Sequence, residues 1–175
     1  PRTEFAIKTH MQEYYAIVTH LDEQVGKILD ALEASGQADE TYIFFSADHG
    51  LSVGQHGLVG KQSLYDHSMR VRLMISGPGI PKGKKVATDG YLPDLRPTSL
   101  ELAGIEKADY VQVNSLVGMT QAEKVSKVPY PAVYGAYRDL QRMIRKDGYK
   151  LVVYPRINKL LLFDVNADPL EMENL

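Results

Sequence analysis

The longest regular pattern of apolar positions lies in the first fifth of the chain. Between residues 9 and 35 the apolar side chains recur every three or four positions, at Met11, Tyr14, Val18, Leu21, Val25, Ile28 and Leu32. This spacing places them on one face of an α-helix. Thr9 with Gln12 is the predicted capping box, and Gly36 the predicted stop. A coiled coil is the alternative, but a strand predicted directly afterwards favours packing against a sheet.

Two short strands are predicted after the helix. Residues 41–46 form an apolar-centred run, typical of a strand covered on both faces in an α/β domain. Residues 71–76 alternate weakly between apolar and polar side chains, and Gly77 begins the turn that ends them. Both runs are therefore predicted strands.

Two further helices are predicted on either side of an exposed basic turn. Residues 63–68 predict a short helix. Residues 95–103 predict a longer one, with Asp94 as cap and Pro97 in its first turn. Residues 106–130 are expected to be irregular.

The last part of the chain changes to a pattern of short strands. Four runs rich in aromatic and aliphatic residues are separated by turns, at residues 133–137, 141–145, 149–154 and 160–165. The Asp147-Gly148 pair between the second and third runs is a strong hairpin signal. The predicted fold class is therefore α/β: part of a sheet flanked by helices over residues 1–120, followed by a small antiparallel β meander over residues 121–175.

Composition narrows the class of protein. The 175 residues, 44% hydrophobic and 24% charged, are typical of one globular domain with or without a small appendage. The net charge of −2 gives no general attraction to nucleic acid or an anionic membrane surface. No apolar stretch reaches the roughly 20 residues of a transmembrane helix. The absence of cysteine excludes disulfides and thiolate metal sites within these residues but leaves the compartment open.

The candidate chemistry lies directly after the first predicted strand. Asp48 and His49 follow it, and ligands of open α/β sheets bind beyond the carboxyl ends of strands. A carboxylate beside an imidazole can form a cation site. The alternative is that Asp48 caps a turn and His49 only packs. From Asp48 to Lys61 the chain carries two histidines, including His56, and four glycines, a flexible backbone that can bring polar groups together.

Several segments, in order, resemble the carboxyl-terminal part of the sulfatases, a family of the alkaline phosphatase superfamily. Besides the Asp48-His49-Gly50 motif, the similar segments are residues 21–29, 54–61, 64–71, 93–98, 102–105, 162–164 and 168–175. Their order over most of residues 14–175 is more specific than any single motif. The implied fold is part of an alkaline-phosphatase-like sheet.

The resemblance implies roles for four residues. Asp48 and His49 would bind a divalent cation, usually calcium in this family. Because calcium prefers oxygen ligands, His49 also allows manganese or zinc. Lys61 would contact the sulfate of a sulfated small molecule or glycan. His56 would donate a hydrogen bond or a proton near the leaving group, with a structural loop histidine as the equal alternative.

The chain also departs from the family pattern. Sulfatases use a formylglycine made from a cysteine or serine that is followed by proline or alanine and then arginine. This chain has no cysteine, and the segment from Ser76 to Ile80 lacks the arginine. The acidic metal ligands of the family's amino-terminal part are missing too. We therefore expect the carboxyl-terminal third of a sulfatase, inactive alone, with the formylglycine upstream.

Two other interpretations stay open. Phosphatases and phosphonate or phosphodiester hydrolases of the same superfamily bind a similar tetrahedral anion, and the upstream nucleophile would distinguish them. A non-catalytic binding or assembly module is the alternative of another class. Unpaired sheet edges would also allow copies of the chain to associate into an oligomer.

Overall fold

The computed structural model describes residues 3–121 and 129–175. The chain divides into two compact units, Pro1–Pro78 and Gly79–Leu175. The domain boundary predicted between residues 120 and 121 borders residues 122–128, which lie outside the described ranges, so it stays a prediction. In the described part of the chain, no helix has the length and apolar character that a membrane crossing requires.

The first unit combines one long helix with two small antiparallel sheets. Its elements are α1 (Glu4–Ala34), β1 (Ile43–Phe45), β2 (Ser52–Val53), β3 (Val59–Gly60), α2 (Asp66–Met69) and β4 (Met74–Ser76). Strand β1 pairs with β4, and β2 pairs with β3 as a hairpin. The mixed α/β class predicted from the sequence is confirmed, although the strands and α2 are shorter than the patterns suggested.

Helix α1 begins six residues before the predicted start. Thr3 is its N-cap, with a side-chain oxygen that accepts a hydrogen bond from the Ala6 amide at 3.3 Å. The predicted capping box is wrong, because the Thr9 hydroxyl is inside the helix and donates to the Phe5 carbonyl at 3.0 Å. The predicted end is confirmed: Gly36 has a φ of +71°, which glycine adopts readily.

The apolar face of α1 lies across from the β1–β4 pair. Side chains of both line an open groove of about 490 Å³, among them Val18, Leu21, Ile43 and Phe45. The helix therefore faces a sheet, as predicted. Phe45 is nevertheless 41% exposed, so the prediction of a strand covered on both faces is wrong. The reason is that the groove beside it stays open; among the described residues, β1 pairs only with β4.

The second unit ends in a four-stranded antiparallel meander. Its elements are α3 (Leu95–Leu102), α4 (Val117–Gln121), β5 (Val133–Tyr137), β6 (Gln141–Lys146), β7 (Tyr149–Tyr154) and β8 (Lys159–Asp164). The strand order is β5-β6-β7-β8, which confirms the predicted meander. Asp147 and Gly148 both have positive φ, as the predicted hairpin turn requires. Helix α4 lies in the segment expected to be irregular, where the Ser115 hydroxyl caps it by accepting from the Val117 amide at 3.2 Å.

The chain after β8 folds back over the outer edge of the meander. The Leu162 amide donates to the Asn174 side-chain oxygen at 2.9 Å, and the Leu175 amide donates to the Leu162 carbonyl at 2.9 Å. Within the same unit, the buried Lys150 ammonium lies 2.5 Å from a buried carboxylate oxygen of Glu171. The tail thus covers the sheet edge at Leu162, while association through other edges stays a prediction.

Asp94 is a buried carboxylate that connects three segments of the second unit. It is 0% exposed and accepts hydrogen bonds from the Tyr91 amide at 2.7 Å, the Asn114 amide at 3.2 Å and the Tyr130 hydroxyl. Asp94 precedes α3 as predicted, but its side chain turns back to the Tyr91 amide rather than capping that helix. Its full set of donors explains how a carboxylate can be buried here.

The Tyr130–Asp94 contact predicts an alkaline weakening of this unit. Burial, with the hydrogen bond to Asp94, raises the pKa of Tyr130 above its value in an unfolded chain. Below the unfolded value of about 10 both states keep the proton; above it the folded state binds more protons, so stability falls as pH rises. We expect Tyr130→Phe to flatten that slope in urea unfolding at alkaline pH. The exposed Tyr15→Phe is the control, and equal slopes in all three proteins would contradict the account.

Candidate metal and anion site

Asp48 and His49 lie just beyond the carboxyl end of β1, which ends at Phe45. The Asp48 side chain is 80% exposed and that of His49 is 35% exposed. One oxygen of the Asp48 carboxylate is 3.6 Å from Nε2 of His49. The two predicted metal ligands therefore converge at an accessible strand end.

Hydrogen bonding fixes the protonation pattern of the His49 ring. Its Nδ1 is 2.9 Å from the carbonyl oxygen of Gly50. A carbonyl only accepts, so Nδ1 carries the hydrogen and Nε2 presents its lone pair. The ammonium of Lys61 lies 2.5 Å from Nε2 and donates to that lone pair. A ring whose Nδ1 donates to a carbonyl, so that the Nε2 lone pair can accept, is typical of histidines that bind metals.

A glycine-rich hairpin brings Lys61 to this position. Lys61 follows directly after β3, whose Gly60 pairs with Ser52 of β2. Ser52 is completely buried, and its hydroxyl lies 2.9 Å from the carbonyl oxygens of both Gln55 and Leu58. Nothing in the sequence singled out Ser52, since a serine in a polar loop is ordinarily exposed.

Gly50 allows the strand-end loop to approach the backbone of α2 closely. Its amide donates to the Ser68 carbonyl at 2.8 Å. A Cβ atom at position 50 would lie 2.1 Å from the His67 carbonyl oxygen. The sequence presented Gly50 only as flexible, whereas the structure requires the absence of a side chain there.

His56 packs in an aromatic cluster of the same unit. Its ring stacks on Tyr65, with centroids 3.9 Å apart and planes 10° apart, and lies 5.6 Å from the ring of His67. Its φ of +54° is a left-handed conformation that few non-glycine residues adopt. The structure thus brings His49 into contact with both Asp48 and Lys61 and gives His56 a packed environment on the intervening loop.

The donor atoms fit one half of a divalent metal site. Ligand distances of about 2.1–2.4 Å allow one cation to touch both Asp48 and His49, since their donor atoms are 3.6 Å apart. Among residues 3–121 and 129–175, no group of three or more histidine, aspartate or glutamate side chains is placed to hold a metal. A complete coordination shell therefore needs ligands in addition to Asp48 and His49.

Comparisons with known proteins show the family to which the chain belongs. A family model for sulfatases matches residues 2–105, and one described as N-sulphoglucosamine sulphohydrolase, C-terminal, matches residues 54–175. A choline-sulfatase of Rhizobium meliloti is 35% identical over 99% of this chain, which covers 34% of that protein. The chain belongs to the sulfatase family.

Solved structures share the fold. One, in complex with its substrate D-glucosamine-2-N,6-O-disulfate, has a TM-score of 0.80 and 30% identity, covering 94% of this chain and 35% of its own. A phosphonate monoester hydrolase of Silicibacter pomeroyi has a TM-score of 0.75 and 26% identity, covering 86% of this chain and 33% of its own. The chain spans about a third of the length of the relatives it matches.

Proposed function

We propose that this chain provides the carboxyl-terminal half of an active site that hydrolyses sulfate esters. Asp48 and His49 would hold a divalent cation, with calcium favoured and manganese or zinc allowed by the imidazole. Lys61 would bind the sulfate. The observation that carries the proposal is the contact of Lys61 with His49, beside Asp48, at the end of a strand.

The chemistry of these side chains suits a sulfate ester. A bound divalent cation would stabilise negative charge on the oxygens of the transferred group. Lys61 adds a charge that is worth roughly 4 kcal/mol to an anion about 4 Å away at an effective dielectric of 20. His56, on the same loop, would donate a hydrogen bond or proton near the leaving group. The formylglycine nucleophile would come from sequence before Pro1.

The relatives suggest the class of substrate. One is named for choline sulfate hydrolysis, and another was solved with a disulfated glucosamine as its substrate. Both substrates are small and carry the sulfate on a polar organic group. We therefore propose a sulfated small molecule or glycan for the protein that contains this chain.

The similarity to a phosphonate monoester hydrolase supports a second candidate reaction. Phosphonate and sulfate monoesters are both tetrahedral anions. Asp48 and His49, through their cation, and Lys61 would bind either one. The nucleophile and the loops around the leaving group would then set the choice. The two reactions are distinguished by measuring kcat/KM of the protein from the full reading frame for 4-nitrophenyl sulfate and for 4-nitrophenyl phenylphosphonate. A higher value for the phosphonate would contradict sulfatase activity.

The chain alone is expected to bind metal weakly. Asp48 and His49 supply only part of a coordination shell, so calorimetric titration with Ca²⁺ or Mn²⁺ should give dissociation constants above about 1 mM, or less than about 4 kcal/mol of binding. Asp48→Asn should weaken the binding further. Tighter binding by the unmodified chain would contradict an incomplete site.

The reading frame that encodes this chain tests the proposal directly. We expect codons upstream of Pro1 to specify a cysteine or serine with the following proline or alanine and arginine, together with an acidic metal-binding pair. Mass spectrometry of the translated protein should then detect formylglycine at that position. A reading frame with neither feature would overturn the enzymatic proposal and favour a binding or assembly module.

A further inference from the structure

The Lys61 ammonium uses the same lone pair that a metal ion would need. His49 Nδ1 is committed to the Gly50 carbonyl, which leaves Nε2 as the ring's only free acceptor. That acceptor receives a hydrogen bond from Lys61 at 2.5 Å. One nitrogen lone pair cannot accept from an ammonium and bind a cation at the same time. A cation that binds His49 must therefore displace Lys61.

The surrounding structure allows this exchange without backbone movement. Gly60 is held by its pairing with Ser52, and the Lys61 carbonyl accepts from the Ser63 amide at 2.9 Å. The side chain of Lys61 is exposed and has a flexible four-carbon stem. Displacement thus needs only rotations within the side chain, while its point of attachment stays beside the site.

We propose that Lys61 is an exchangeable placeholder, whose ammonium holds the His49 lone pair until a divalent cation takes it, and is then available to the sulfate. The inference rests on the proposed roles of Asp48, His49 and Lys61. It adds that the cation and the anion assist each other's binding. An anion that draws the ammonium away frees Nε2, and by thermodynamic linkage a cation at Nε2 frees the ammonium to the same extent.

The hydrogen bond itself can be observed by nitrogen NMR of the imidazole rings in the 175-residue chain. In the metal-free protein the His49 Nε2 resonance should show a hydrogen-bonded lone pair, and Lys61→Met should move it toward that of a free one. Sodium sulfate should move the wild-type resonance in the same direction, whereas sodium chloride at equal ionic strength should not. An Nε2 resonance unchanged by Lys61→Met would overturn the proposal.

Coupling between the two ions is measured with Mn²⁺ and inorganic sulfate. We expect sulfate to raise the Mn²⁺ affinity of the wild-type chain at least about fivefold, the lower end of typical coupling. Lys61→Met should bind Mn²⁺ more tightly than wild type without sulfate, and sulfate should add little. Lys27→Met is the matched control, since it removes the same charge from an exposed residue of α1. Equal sulfate effects in wild type and Lys61→Met would overturn the coupling.

The variants also separate this inference from the proposed function. One outcome is that Asp48→Asn and His49→Gln weaken Mn²⁺ binding while Lys61→Met neither strengthens it nor removes the sulfate effect. In that case the placeholder role of Lys61 is wrong, and Asp48 and His49 remain the proposed metal ligands. If neither Asp48→Asn nor His49→Gln changes the Mn²⁺ affinity, the assignment of Asp48 and His49 as metal ligands is wrong as well.

Discussion

Glu171→Gln is expected to destabilise the meander by about 3–5 kcal/mol, the usual cost of leaving one member of a buried ion pair alone. Lys150 is 0% exposed and Glu171 is 3% exposed, and their charged groups are 2.5 Å apart. Glutamine preserves the size of the side chain but leaves the ammonium of Lys150 without a balancing charge. Because Glu171 also has a left-handed φ of +58°, the pair helps to hold a strained tail residue in place.

Hydrogen exchange of the β7 and β8 amides measures this effect locally, which suits a chain of two units. Asp139→Asn is the matched control. Asp139 forms an ion pair with Arg156, and both side chains are more than half exposed. Exposed pairs contribute about 0–1 kcal/mol, so protection should barely change. The double change Lys150→Met with Glu171→Leu should recover much of the loss. Similar losses for Glu171→Gln and Asp139→Asn would contradict a special role for the buried pair.

Gly50→Ala is expected to disrupt the candidate site and to cost about 1–3 kcal/mol or more through steric overlap. The new Cβ would lie 2.1 Å from the His67 carbonyl oxygen, in a segment that also accepts the Gly50 amide hydrogen bond through Ser68. The collision is with backbone, so no side-chain rotation relieves it. Since Gly50 also supplies the carbonyl that orients His49, its displacement should change the His49 ring resonances and weaken Mn²⁺ binding.

Gly26→Ala is the control, because it adds the same methyl group but is expected to raise stability rather than lower it. Gly26 lies inside α1, and a Cβ there meets nothing within 4 Å. Alanine should stabilise the helix by about 0.5–1 kcal/mol, because glycine is the weaker helix former. Thermal unfolding of both variants makes the comparison. A Gly50→Ala protein as stable as wild type, with unchanged His49 resonances, would show that the loop tolerates the collision.

Long regular patterns were readable from sequence because they depend on near neighbours. The three- and four-residue spacing found α1, and the alternating runs with Asp147 and Gly148 found β5 to β8 within a residue or two. The start of α1 was missed because Thr3 and Thr9 are equally suitable caps, although Ile7, four residues before Met11, continues the apolar spacing. Ordered similarity along the chain identified the family.

Contacts between distant segments were not readable in this way. The meeting of Lys61 with His49 depends on closure of the β2–β3 hairpin, and that closure depends on the buried hydroxyl of Ser52. Asp94 looked like a helix cap but receives donors from Tyr91, Asn114 and Tyr130 instead. Both cases involve polar groups whose burial is possible only because partners from elsewhere in the fold satisfy them.

We propose above all that Lys61 acts with Asp48 and His49 on a sulfate ester. The most direct test of this proposal is hydrolysis of 4-nitrophenyl sulfate by the protein translated from the full reading frame, comparing Lys61→Ala with Lys27→Ala. We predict that Lys61→Ala lowers kcat/KM by about 100-fold or more, as removal of a preorganised charge-stabilising donor does, while Lys27→Ala leaves it unchanged. Equal activity of the two variants would contradict the account.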